Sequence, residues 1–190
     1  MKFYSARQAI HDAYALAFLS KSLDAGQLIA PGKITKGAKD INWHHVDQAE
    51  AGVILHALST LQPHQQNWAV WCHAPRISEY LPEQGRFFTW LNDDVSIRLL
   101  ESERHYRPAT ADKIRDVVAL TVLNYRHFVS TDQYLYSDRE VRKRCGIIRQ
   151  NWCRDFVFWK HLYLNRCDQL DRVVLTVIAD ACKRHGLIDL

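Results

Sequence analysis

Apolar residues recur at spacings of three and four along nearly the whole chain, without the strict alternation that marks a half-buried strand. The pattern predicts an all-α fold, a compact multi-helix domain. Ser5 and Gln8 have the form of a capping box, in which a hydroxyl and an amide three residues apart satisfy exposed backbone donors. A first helix is expected from there to about Asp24, burying Ile10, Tyr14, Ala17 and Phe18 and ending near Gly26. Ala30 to Asp40, with Pro31, Gly32 and Gly37 among lysines, reads as a loop.

A second helix from about Trp43 carries the stripe Val46, Ala49, Val53, Ile54, Ala57 and Leu58. Proline suits the first turn of a helix, where its missing N–H is not needed. Pro63 therefore opens a short third helix that ends before Pro75. Pro82 opens a fourth, with Phe87, Phe88, Trp90, Leu91, Val95, Leu99 and Leu100 inward and Arg107 and Pro108 closing it. Thr110 is the expected cap of a fifth helix that stacks Ile114, Val118, Thr121, Val122 and Tyr125. The last helix buries Leu170, Val173, Val174, Val177, Ile178, Ala181 and Cys182 and stops at Gly186.

Between the fifth and last helices, Ser137 to Phe156 reads as a helix-turn-helix. Ser137 caps a short helix, Gly146 makes the sharp turn because glycine takes a positive φ without a Cβ penalty, and a second helix begins near Ile148. Val141, Cys145, Ile147 and Trp152 are expected to fill the small core between the two helices. Arg142 stands where the motif usually has a small residue, and Asp155 where a hydrophobe is commoner, with Phe156 beside it able to fill that place.

The second of these helices presents Arg149, Gln150 and Arg154, side chains suited to base edges and phosphates, since arginine grips guanine and glutamine grips adenine in bidentate fashion. Arg139, Arg142, Lys143 and Arg144 on the preceding helix are placed for the DNA backbone. Charge adds to this picture. The chain carries only four net positive charges, yet the segment from Arg139 to Lys160 holds seven basic residues against two acidic ones, leaving the remainder close to neutral. Residues 109–190 are read as a DNA-binding region and 1–108 as a helical region offering a protein-contact surface.

The sequence also resembles a known group. Leu58, Leu61 and Pro63 followed by Trp68 and Trp71, with the later turn from Gly146 to Asp155 leading into a long apolar helix, resemble the Q-type late-gene antiterminators of phages and prophages and the AlpA-like regulator of lysis genes. The resemblance implies binding of double-stranded DNA near a promoter, loading on RNA polymerase paused with its sigma factor, and travel with the enzyme past terminators. The cysteine clusters that hold zinc in some Q proteins are missing, which implies a zinc-free class.

Other chemistry is weaker. The five cysteines lack any C-x-x-C pair and read as reduced, mostly buried thiols. Ten histidines, including His44 and His45, show no ligand spacing along a helix face, so no metal and no cofactor are expected. Asp93, Asp94, Glu101 and Glu103 read as surface carboxylates, no phosphate loop or nucleophile elbow is present, and the protein is read as no enzyme. The six tryptophans fit the core by spacing, with Trp68 and Trp71 also candidates for a protein contact. The longest apolar run, near Val117 to Tyr125, is too short to cross a membrane, no signal-peptide core is seen, and a cytoplasmic location is expected. The alternative role is an all-α adaptor or inhibitor that meets an acidic partner protein through the basic hairpin.

Overall fold

The computed structural model of the chain describes residues 3–27, 38–75 and 80–187, and side chains are described outside 19–27 and 38–47. Among the described residues the regular structure is helical, without strands, as expected. The helices are α1 (Ala6–Gln27), α2 (Ala38–Ser59), α3 (Pro63–His73), α4 (Leu81–Glu101), α5 (Pro108–Thr131), α6 (Asp138–Arg144), α7 (Arg149–Asn151) and α8 (Val157–Arg184). A π-helical turn, Trp152–Phe156, joins α7 to α8. The chain forms two compact units, one from Met1–Gln84 with Arg172–Leu190, the other Gly85–Asp171.

In the first unit, α1 and α2 pack together and α3 lies against both. The Ser5 hydroxyl accepts the Gln8 N–H at 3.2 Å, while the Gln8 amide oxygen accepts from Tyr4 N–H rather than from Ser5. Ile10, Ile54, Leu58, Val174, Ile178 and Cys182 fill the core, whereas Ala49, expected inside, is exposed. The expected loop at 30–40 lies outside the described residues as far as Gly37, and Ala38 to Asp40 are already helical. No glycine or proline separates Ala38 from Trp43, so nothing in that stretch delays the start of α2. The backbone N–H of Phe3 donates to the Leu187 carbonyl at 2.8 Å, tying the two chain ends of this unit together.

Trp68 and Trp71 belong to this core, 0% and 2% exposed, with ring centroids 5.7 Å apart. Both residues expected at a protein contact are thus packed within this unit. Large aromatic surfaces removed from water stabilise a fold by a few kcal/mol each, about 3 to 5 on truncation to alanine. That is reason enough for their spacing.

The second unit is built on α5, whose Ile114, Val118, Thr121, Val122 and Tyr125 are all buried as the periodicity predicts. Phe87, Leu91 and Val95 of α4 and Trp159 and Tyr163 of α8 complete its core. Three aromatic polar groups inside are partnered: Tyr163 donates to Asp94 Oδ2 at 2.7 Å, Tyr125 to Asp168 Oδ1 at 2.9 Å, and Trp159 Nε1 to the Tyr106 hydroxyl at 3.3 Å. Leu100, expected inside, is 86% exposed at the last turn of α4, and Val173, in the first unit, is exposed as well. The cap of α5 is the extended residue Arg107, with Pro108 at the first position, so the helix starts two residues before Thr110 and Thr110 does not cap it. The preset φ of proline and its missing N–H favour that place.

Candidate nucleic-acid interface

The basic segment begins with a fully formed cap. Glu140 N–H reaches the Ser137 hydroxyl at 3.4 Å, and the Glu140 carboxylate accepts from Ser137 N–H at 2.7 Å. Hydrogen bonds from the Ser137 hydroxyl and N–H hold the Glu140 carboxyl below its ordinary range. Acidic residues open α6 while Arg142, Lys143 and Arg144 close it, which suits the helix dipole at both ends.

Gly146 takes φ +59 just past α6. Its N–H donates to the Lys143 carbonyl at 3.3 Å and Ile147 N–H to the Arg142 carbonyl at 2.9 Å, the paired bonds of a glycine-terminated helix. The same pair recurs at the end of α8, where Gly186, φ +63, and Leu187 bond to Lys183 and Cys182. Val141, Cys145, Ile147 and Trp152 are each buried, as their spacing predicts. Burial pushes the Cys145 thiol up to about 11, keeping it protonated and unreactive.

The second helix differs from its expected form in length. α7, the π turn and α8 run without interruption through 149–184, so the helix that starts after the turn and the last helix are one. No glycine or proline lies between Arg149 and Arg184 to break it. At the π turn Val157 N–H bonds back to Trp152, and the wide turn takes up one extra residue. Trp152, Asp155 and Phe156 are all buried there, with the rings of Trp152 and Phe156 stacked at 6.4 Å.

Of the expected contact residues, Arg139, Lys143, Arg144, Arg149, Gln150 and Arg154 are exposed and Arg142 is half-buried. They divide by what their side chains touch. Arg144 lies over the Tyr136 ring, 4.2 Å from its centroid. Arg154 is fixed: its guanidinium holds both Asp155 oxygens at 2.9–3.2 Å and Asn151 Oδ1 at 3.0 Å. Asp155 is only 6% exposed, and Arg104 Nη2 reaches its Oδ1 at 2.5 Å. The Arg154 hydrogen bond, helped by the charge of Arg104, holds the Asp155 carboxyl below the usual carboxylate range despite burial. Asp155 thus remains charged inside because two guanidinium groups neutralise it.

Three groups outside the segment hold it in place, and sequence reasoning missed all three. The buried amide of Asn124 on α5 accepts Tyr136 N–H and donates to the Tyr136 carbonyl, both at 2.8 Å, fixing the approach to the Ser137 cap. Lys113 Nζ donates to the Gly146 carbonyl at 2.7 Å, fixing the turn. Arg104 also donates to the Arg154 carbonyl at 3.1 Å, fixing the middle of the π turn. A polar Asn124 between Val122 and Tyr125 was the available signal, since a buried amide requires partners. Arg104 and Lys113 gave none, being far away in sequence.

No curated protein and no solved structure matches the chain. A family model does, and its span takes in α3 to α8 entire, including the capped α6, the Gly146 turn and the paired Asp155. That model, described as phage antitermination protein Q, matches residues 45–186, and the chain belongs to that family.

Proposed function

We propose that the protein is a sequence-specific, double-stranded DNA-binding transcription regulator that acts as an antiterminator by loading on RNA polymerase near a promoter. The observation that carries the reading is the pairing of family membership with two successive helices whose cations face solvent across a rigid glycine turn. Arg149 and Gln150, in the first turn of α7, have no side-chain hydrogen bond or ion pair among the described residues and are the base-reading groups. Arg139, Arg142, Lys143 and Arg144 contact phosphates, which set register and carry no sequence information. Arg154 is assigned a supporting role with one edge toward the backbone, because its guanidinium is already held by Asp155.

The partners are duplex DNA and RNA polymerase with its sigma factor. The role is regulatory rather than enzymatic and belongs to the cytoplasm, in keeping with the family. Selection of binding sites from a random duplex library tests DNA recognition. The wild-type chain enriches one sequence motif, and Arg149→Ala weakens the preference at one or two positions by about 1–3 kcal/mol, the value of a bidentate base contact. A library that stays random after repeated rounds with wild-type protein sinks the assignment.

A further inference from the structure

Beside the Gly146 turn lies an open groove of about 570 Å³, floored by the turn and walled by the loop before α5, the first two turns of α5 and the end of the π turn. Four cationic side chains line it, Arg104, Arg107, Lys113 and Arg154, against one carboxylate, Asp155. Three of the four are engaged without being neutralised in full. Arg104 and Arg154 share the single charge of Asp155, and Lys113 gives one of its three donors to the neutral Gly146 carbonyl. Arg107 is exposed, and its side chain makes no hydrogen bond or ion pair among the described residues. The groove therefore keeps a strong positive excess in a concave place, where field lines concentrate.

We infer that this groove seats the sugar-phosphate strand of duplex DNA next to the bases that α7 reads, with Arg107 and Lys113 as phosphate contacts. The inference rests on the DNA-binding reading and extends it to residues outside the basic segment. One feature favours a DNA strand over an acidic peptide: the groove is lined by Ile148 and Asn151, which bracket Arg149 and Gln150, so a strand lying in it runs beside the residues proposed to read bases. A strand crossing it places a phosphodiester against cations held on two different elements. This fixes the tilt of α7 over the base edges, as backbone contacts do in other DNA-reading helices.

The test needs no knowledge of the cognate site, because backbone contacts are independent of sequence. Binding of a mixed-sequence DNA duplex is measured as a function of salt for the full-length wild type, Arg107→Gln and Arg149→Ala, with a poly-glutamate peptide as the competing acidic probe. Arg107 supplies only its backbone carbonyl to the cap of α5, so the glutamine variant keeps the fold, which circular dichroism verifies. The slope of log K against log[salt] falls by about 0.9 in Arg107→Gln, so a fourfold rise in salt weakens the variant about 3.5-fold less than the wild type. Poly-glutamate binds weakly and equally to both proteins. An unchanged slope in Arg107→Gln, while wild type still binds duplex with a steep slope, overturns the groove assignment and leaves the DNA-binding reading standing. Loss of poly-glutamate binding in the variant with DNA binding intact overturns it in favour of an acidic protein partner. Wild-type protein that binds no duplex at low salt overturns both.

Discussion

Asp155 decides more about the interface than any residue that touches solvent freely. A lone buried carboxylate is costly, and here two arginines from different places in the chain neutralise it. The arrangement makes stability depend on pH with a defined sign. The folded carboxyl ionises below the unfolded value, so its contribution is present above that value and is lost as pH falls through the folded one. Asp155→Asn therefore lowers the thermal midpoint at pH 7, and the gap between variant and wild type closes as pH drops below about 4, the ordinary carboxylate range. Melts followed by circular dichroism at several pH values check this, and a gap of constant size contradicts it. The residue also illustrates the reach of sequence reasoning. Its position among hydrophobes marks Asp155 as unusual, but Arg104, fifty-one residues earlier, becomes its partner only through the packing of the fold.

At the level of elements, the turn between α6 and α7 is the part that local chemistry specifies best. Ser137, Val141, Cys145, Gly146 and Ile147 each do in the structure what their type and spacing predict, because capping, glycine geometry and short-range packing are local effects. Gly146→Ala places a Cβ on a left-handed residue and costs about 1–2 kcal/mol, read as a lower urea midpoint for the full chain, and an unchanged midpoint contradicts the strain argument. The start of α5 follows the same proline rule that locates α3, yet a plausible threonine cap at Thr110 hides it. The merger of α7 with α8 is harder to see, since a π turn leaves no glycine or proline to mark it and shifts the apolar stripe by one residue. Exposed Leu100 has a related cause: helical spacing finds an apolar stripe but not how far along the helix a neighbour covers it.

For the whole molecule, helices without strands among the described residues and membership of the phage antitermination protein Q family agree with what patterning and the turn from Gly146 to Asp155 suggest. Net charge is uninformative at this scale and informative one level down, where the basic helices and the groove beside them concentrate it. The central claim is that this protein lets RNA polymerase pass terminators after recruitment through DNA. Transcription by purified polymerase through a terminator, on templates with and without the motif selected by the wild-type chain placed near the promoter, measures it most directly. The account predicts that added protein raises read-through only on the template carrying the motif, and that Arg149→Ala loses most of the effect. Read-through that does not change with protein on either template contradicts it.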